Sequence, residues 1–100
     1  MGHIRLDART RLSIDIALAA AGGDDERLRL AEKSARSLGL TGADLDALRQ
    51  GSSFDFQLSR AIALALSPNS ENRDRARRAG LDDRVCQAIE AFAASKAGLA

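Results

Sequence analysis

The stretch from Ala19 to Thr41, AAAGGDDERLRLAEKSARSLGLT, decides the fold of this 100-residue chain. Gly22 and Gly23 predict the end of a first helix, because glycine adopts left-handed backbone angles without a Cβ penalty. Three acidic residues follow, where the unpaired N–H groups and the dipole of a new helix favour negative charge. The stretch therefore predicts a helix end followed by a helix start, and it raises the question whether the acidic cluster is also a functional site.

The residues before the glycines predict a central helix. Arg9 to Ala21 are apolar on most faces, which is typical of a helix surrounded by other helices. Its apolar residues are Leu12, Ile14, Ile16, Ala17, Leu18, Ala19, Ala20 and Ala21. Asp15 is the exception, and we expect it either to lie at an exposed edge or to pair with an arginine.

Asp24 to Leu38 predict an amphipathic second helix. Its predicted inward face consists of Leu28, Ala31, Ala35 and Leu38. Its predicted outward face consists of Arg29, Glu32, Lys33 and Arg36. On that outward face, Asp25–Arg29 and Glu32–Arg36 have the i,i+4 spacing and the acid-before-base order of favourable ion pairs.

Thr41 predicts the start of a third helix. Asp44 follows it as the second member of a capping box, and Leu40 and Leu45 have the spacing of a hydrophobic staple. We expect Leu45 and Leu48 to face inward and the helix to end at Gly51.

Three more helices are predicted downstream. Ser52 or Ser53 is expected to cap the fourth, whose inward face is predicted to be Phe54, Leu58, Ala61, Ile62 and Ala65. Pro68 disfavours helical angles at Ser67 and ends that helix. A short polar helix follows, from about Ser70 to Ala79. The last begins at Leu81 and Asp82, and its predicted inward face is Val85, Cys86, Ile89, Phe92 and Ala93.

These elements predict a single all-α domain of about six helices over residues 1–100, with an N-terminal arm at 1–7 and a C-terminal tail at 98–100. The aliphatic content favours a core of Ala, Leu and Ile, since the only aromatic residues are three phenylalanines. A domain of this size buries roughly two thirds of its unfolded surface, so self-association would add useful burial.

Charge and cysteine usage limit the classes of partner. The formal net charge is +1, which provides no long-range field for nucleic acid or an anionic membrane. A single cysteine, Cys86, cannot form an internal disulfide, which fits a reducing compartment. The N-terminus has no secretory-signal pattern, and the longest apolar runs are far too short to span a bilayer. We therefore expect a cytoplasmic protein without a membrane partner.

The order of these features resembles the alkylhydroperoxidase D-like / carboxymuconolactone decarboxylase-like superfamily. The features are an Ala-rich central helix, a Gly break, an amphipathic helix ending in Ala-Arg-x-x-Gly-Leu-Thr, a short capped helix and a Phe-Ala-Leu helix. The resemblance covers Asp7 to Phe92. It implies an alkylhydroperoxidase D-like helical bundle and homo-oligomers, mostly trimers or hexamers.

The resemblance also implies where a redox site would be. In the redox branch of the superfamily, a Glu precedes a Cys-x-x-Cys pair and a His follows it. The start of the helix and a basic neighbour favour the reactive thiolate. The Glu and the His transfer protons. The corresponding residues of this chain are Leu12, Asp24, Arg27 and Ala31. None of these residues can supply thiol exchange or proton transfer at its position, and Ala31 also lacks the His used by the decarboxylase branch. Catalysis through a Cys pair is therefore excluded, and the motif is degenerate.

Two interpretations of Asp24 and Arg27 stay open. They have the i,i+3 spacing of a local ion pair, or they could form a small polar site for an ion in the interhelical pocket. A metal site is not expected, because no His or Cys lies near the three acids. The lone His3 lies in the terminal arm and carries no functional hypothesis.

Cys86 also has two interpretations. Its apolar position favours a buried structural thiol, because free cysteine behaves as a small hydrophobic residue. A solitary peroxidatic thiol with an external reductant is the alternative.

Two patterns raise the possibility of nucleic-acid binding. The segment NRDRARRAG is rich in arginine, but its basic residues are spread around a helix and interleaved with acids. SARSLGLTGADLDALRQ could form a helix-turn-helix, yet its second helix carries Asp44 and Asp46 and no base before Arg49. We therefore do not expect nucleic acid as a partner.

The leading functional hypothesis is a non-catalytic, homo-oligomeric interaction or small-ligand-binding protein without a cofactor. The first alternative is a diverged antioxidant-type enzyme that uses Cys86 or a carboxylate. The second is a small helix-turn-helix DNA-binding protein.

Overall fold

Six helices make up the computed structural model over residues 5–96, the part of the chain that the structure describes. They are α1 (Ala8–Gly22), α2 (Asp25–Ser37), α3 (Gly42–Arg49), α4 (Phe56–Leu66), α5 (Ser70–Arg78) and α6 (Asp83–Lys96). No strand occurs within these residues, so the predicted all-α class and number of helices are confirmed. His3 and the predicted tail at 98–100 lie outside the described residues.

Helix α1 is the centre of the fold, as its apolar composition predicts. It packs against α2, α3, α4 and α6, while α4 also packs against α5 and α6. Its side chains Ile14, Ile16 and Ala19 are completely buried. Ser13 is buried too, and its Oγ donates a hydrogen bond to the carbonyl of Arg9 at 2.8 Å. Most of the apolar surface of α1 is therefore covered within one chain, whereas Leu12 and Leu18 stay partly exposed.

The core consists of aliphatic side chains, as the composition predicts. Its largest fully buried apolar members are Ile14, Ile16, Leu45, Ile62, Leu64, Leu81, Cys86 and Ile89. Alanines of α2, α4, α5 and α6 fill the space between them. Phe92 is only partly buried against this core, and Phe54 and Phe56 are exposed. None of the three phenylalanines is therefore a fully buried residue.

The predicted helix boundaries at the first turn and at α3 are confirmed. Gly23 follows α1 with φ of 71°, and its N–H donates to the last carbonyls of that helix. Thr41 caps α3: its Oγ1 accepts from the Asp44 N–H at 3.1 Å, and the Asp44 carboxylate accepts from the Thr41 N–H at 2.9 Å. Both signals are local, because each involves atoms no more than a few residues apart.

The start of α4 differs from the prediction. The cap is Asp55, whose carboxylate accepts from the Leu58 N–H at 3.0 Å, rather than Ser52 or Ser53. Ser53 instead closes the preceding loop, since its N–H donates to the Ser59 hydroxyl at 2.8 Å. Because α4 begins at Phe56, Phe54 precedes the helix; it is 76% exposed instead of facing inward.

The end of the predicted N-terminal arm belongs to the folded structure. Asp7 caps α1 by accepting from the Thr10 N–H at 2.9 Å, and Leu6 packs against the core. The structure thus places the start of α1 slightly earlier than the predicted Arg9.

Candidate functional site

The four positions that the resemblance assigns to a redox motif lie around one shallow depression between α1 and α2. Leu12, Asp24, Arg27 and Ala31 line it together with Asp15, Glu26, Leu30 and Ser34. The depression has a volume of about 460 Å³ and is wide open to the surface. The two helices are consecutive and joined by a two-residue turn, so close packing brings these positions together whatever the ancestry of the chain.

Arg27 is the structural centre of this depression. Its Nε donates to Asp15 Oδ1 at 2.8 Å, and its Nη2 forms the ion pair with the same oxygen. Its Nη1 lies 3.3 Å from the carbonyl oxygen of Lys96 at the end of α6. One guanidinium therefore connects α1, α2 and α6, and Asp15 has the arginine partner that was one of its two expected environments.

The predicted local pair between Asp24 and Arg27 has a different form. The Asp24 carboxylate accepts from the backbone N–H of Arg27 at 3.1 Å and caps α2, while the Arg27 guanidinium points to Asp15. The Asp15 carboxylate of α1 binds this guanidinium in place of Asp24 because it is partly buried. The side chain of Asp15 is only 13% exposed. Asp24 acts as a helix cap in this arrangement.

The depression between α1 and α2 combines apolar and charged side chains, as a surface that contacts another molecule does. Leu12 and Ala31 provide apolar groups, and Arg27 provides a guanidinium group. Asp24 and Arg27 also border a second depression of about 370 Å³, formed with Leu18, Gly22, Ala93 and Lys96. The Asp15–Arg27 ion pair thus lies between these two depressions and holds α1 and α2 together.

Cys86 lies in the core, in agreement with the structural interpretation of this residue. It is 0% exposed, and burial raises the pKa of its thiol above the ordinary value, although the nearby Arg73 guanidinium acts in the opposite direction. A peroxidatic cysteine needs thiolate character and access to solvent. The environment of Cys86 opposes both requirements.

One charged residue on the predicted outward face of α2 is buried, although the sequence predicted that it is exposed to solvent. Glu32 is 9% exposed and pairs with Arg49 of α3, which also binds Asp46 at 2.8 Å. The Glu32 carboxylate raises the pKa of Arg49 above its usual value through their hydrogen bond. The helical periodicity of α2 alone could not indicate this pair, because the position of α3 decides it.

The i,i+4 pairs expected on α2 are not formed. Within residues 5–96, neither Asp25 and Arg29 nor Glu32 and Arg36 are within ion-pair distance. The exposed charges of α2 are therefore free to interact with another molecule.

Three of the four arginines of NRDRARRAG, and the base of the candidate recognition helix, have acidic partners in the structure. Arg73, Arg75 and Arg77 pair with Glu90, Glu71 and Asp83, respectively. On α3, the only base is Arg49, which both Glu32 and Asp46 neutralise. This arrangement counts against a recognition helix that lies along phosphates.

A third concave surface, a cleft between α4 and α5, was not predicted from the sequence. Phe56, Arg60, Arg75, Arg78 and Ala79 line a cleft of about 240 Å³ between the first turn of α4 and the end of α5. The Arg60 guanidinium lies 5.0 Å from the centre of the Phe56 ring. The i,i+4 spacing of Phe56 and Arg60 was an available signal for this contact.

Comparisons with known proteins do not identify a relative. No protein-family model matches the chain, and neither a curated protein nor a solved structure matches it significantly. Over residues 5–96 the structure thus defines an all-α fold of six helices, and the superfamily resemblance stays a prediction.

Residues 5–96 contain neither a membrane-spanning helix nor a metal-binding cluster. Over 5–96, no helix combines the length and apolar character needed to cross a bilayer. In the same part of the chain, no group of three or more His, Cys, Asp or Glu side chains is arranged to hold a metal ion.

Proposed function

We propose that this protein is a non-catalytic, homo-oligomeric interaction protein, a diverged member of the alkylhydroperoxidase D-like superfamily that binds a second copy through the exposed face of α2. The observation that carries the proposal is Leu30, which is 60% exposed beside the α1–α2 depression. A large aliphatic side chain at the edge of an open concave surface is typical of a contact site.

Leu30 lies at the centre of an exposed stripe on α2. Glu26, Leu30, Lys33 and Ser37 follow the i, i+4, i+7, i+11 spacing of one helix face, and all four are exposed. The depression lined by Leu12 and Ala31 adjoins this stripe. A partner helix along α2 would therefore cover Leu30 and the apolar groups of the adjoining depression.

The charges of the stripe favour a second copy of the same chain. Glu26 and Lys33 are seven residues apart, about 10 Å along the helix axis. A two-fold axis between Arg29 and Leu30 would run two α2 helices antiparallel and bring Glu26 of each copy opposite Lys33 of the other. Neither residue has an ion-pair partner within residues 5–96, so both are available for this contact. An isologous contact of this kind is the commonest basis of homodimers.

The pair formed by Asp15 and Arg27 would support this surface from within. It fixes α2 on α1 and leaves the motif positions in a structural role. A hexamer, one of the assemblies that the resemblance implies, can contain such two-fold contacts between trimers.

The test is the molar mass in solution, measured by sedimentation and light scattering over a range of concentrations. We expect the unsubstituted chain to form an oligomer and Leu30→Ser to shift it to smaller species, with at least a tenfold weaker association. Phe54→Ser is the matched control, because Phe54 is also an exposed apolar residue but lies outside the stripe, in the α3–α4 loop. A monomer at all concentrations, or equal weakening by both substitutions, would contradict the proposal.

Charge exchange tests the antiparallel arrangement. Lys33→Glu places acid opposite acid and should weaken association, whereas Glu26→Lys combined with Lys33→Glu should restore it. If the double variant is as weak as the single one, the contact does not have the proposed two-fold geometry.

The non-catalytic part of the proposal is tested separately. Peroxide consumption by the unsubstituted chain and by Cys86→Ala, each with and without a thiol reductant, should equal that of buffer. A rate that depends on Cys86 would instead support the antioxidant-type enzyme.

A further inference from the structure

We propose that the cleft between α4 and α5 binds the phosphate group of a small organic phosphate monoester. Phe56, Arg60, Arg75, Arg78 and Ala79 line this cleft. All of its ionisable lining residues are arginines, and none is a carboxylate. The proposal does not depend on the assembly of the chain.

The positive charge at this cleft is only partly neutralised. Arg75 pairs with Glu71 at 3.0 Å, whereas Arg60 and Arg78 have no carboxylate partner within the described part of the chain. Arg73 and Arg77 of the same helix do have acidic partners. The cleft thus combines three arginines, two of them without an acidic partner within residues 5–96, in a chain whose formal charge is only +1.

Both walls of the cleft are held in place. Gln57 Nε2 donates to the Ala79 carbonyl at 2.8 Å and connects the first turn of α4 to the end of α5. Arg60 is partly buried, and its guanidinium lies over the Phe56 ring at 5.0 Å. This contact limits the freedom of Arg60 before any ligand arrives, which lowers the entropy lost on binding.

The residue types indicate the class of ligand. Guanidinium groups donate paired hydrogen bonds to phosphate oxygens, and a dianion is attracted more strongly than a carboxylate by several arginines. Phe56 is 62% exposed and offers an apolar ring beside them. The combination fits a phosphate carried on an apolar or aromatic group.

The arginines at the end of α5 also have a structural effect, since basic residues stabilise the C-terminal turn of a helix. That effect belongs equally to Arg77, which pairs with Asp83 and does not line the cleft. Arg77 therefore provides the comparison that separates helix stabilisation from ligand binding.

The experiment titrates the chain with inorganic phosphate and with phenyl phosphate at low ionic strength, observed by NMR chemical-shift changes and calorimetry. We expect saturable binding of both, with phenyl phosphate tighter and with shifts concentrated on α4 and α5. Arg60→Gln and Arg78→Gln should each weaken phenyl phosphate binding at least tenfold, and Arg77→Gln should change it less than twofold. Circular dichroism checks that each variant remains folded.

Several outcomes would overturn the inference. These are an absence of saturable binding, equal losses in Arg77→Gln and Arg78→Gln, or shifts located elsewhere on the molecule. Binding of a short oligonucleotide that is stronger than phenyl phosphate binding and equally sensitive to all three substitutions would indicate general attraction of polyanions instead. Each result can be obtained whether the chain is monomeric or oligomeric.

Discussion

Single residues determine the turns between helices in this fold, and Gly80 is an example. It follows α5 with φ of 105°, in the left-handed region that favours glycine. A Cβ built on Gly80 would lie 2.7 Å from Gln57 Nε2, the atom that donates to Ala79 and connects α4 with α5. The backbone angle therefore favours glycine at this position, and a side chain there would also displace the Gln57 amide.

Gly80→Ala should destabilise the protein by about 1–2 kcal/mol, because the substitution adds backbone strain and displaces Gln57. Urea unfolding followed by circular dichroism measures this change. Gly42→Ala is the control: Gly42 begins α3, and its Cβ would meet nothing within 4 Å. We expect the control to be neutral or slightly stabilising, and an equal loss in both variants would contradict the argument.

At the scale of the helix, capping carboxylates define where the elements begin. Asp7, Asp24, Asp55 and Asp82 each accept a hydrogen bond from the N–H three residues later. The hydrogen bond from the Thr10 N–H lowers the pKa of Asp7, and the Thr41 N–H has the same effect on the pKa of Asp44. The starts of α1 and α3 are therefore also sites where stability depends on pH.

The sign of that dependence follows from the lowered pKa. The folded state binds the proton of Asp7 less readily than the unfolded state does, so the contribution is complete above the unfolded pKa of about 3.9 and is lost as pH falls through the folded value. Asp7→Ala should cost about 1 kcal/mol at pH 7 through loss of the cap. The difference from the unsubstituted chain should shrink as pH falls below about 4.

Urea unfolding of both chains between pH 7 and pH 2 measures this difference. Asp74→Ala, at an exposed position of α5, is the control and should show little change at any pH. A cost of Asp7→Ala that is independent of pH would mean that the carboxylate charge does not contribute.

At the scale of the whole molecule, one aliphatic core organises the described residues around α1. Cys86 is completely buried in this core, among groups contributed by all six helices. Access to its thiol therefore requires α6 to separate from the helices it packs against, α1, α4 and α5. The cysteine thus reports on the opening of the core around α6.

Reaction of Cys86 with a thiol reagent should be at least about a hundredfold slower in the native protein than in urea, because buried core groups become accessible through large openings. The urea dependence of this reaction should coincide with the loss of helical circular dichroism. Rapid labelling in native buffer would instead mean that α6 opens on its own.

Much of the fold was predictable because its signals are local. The turn at Gly23 and the capping box of Thr41 involve atoms only a few residues apart, and periodicity within a helix identifies most of its buried positions. The start of α4 was not predictable in this way, because Ser52, Ser53 and Asp55 are all good capping residues. Their competition is decided by the loop in which Ser53 binds Ser59.

The candidate site was only partly predictable. The superfamily resemblance implied that Leu12, Asp24, Arg27 and Ala31 belong to one site; they line one depression, which the packing of two consecutive helices explains by itself. The partner of Arg27 and the exposure of Leu30 depend on how α2 packs against α1 and α6. The cleft at Phe56 likewise depends on the packing of α5 against α4.

The sequence by itself determined the six helices, their order and the aliphatic composition of the core, since caps, glycine turns and periodicity act within a few residues. Only the tertiary structure decided that Arg27 binds Asp15 and that Glu32 binds Arg49. The physical reason is that a long charged side chain can reach several carboxylates. Which carboxylate lies within reach is fixed by the packing of helices that are distant in the chain.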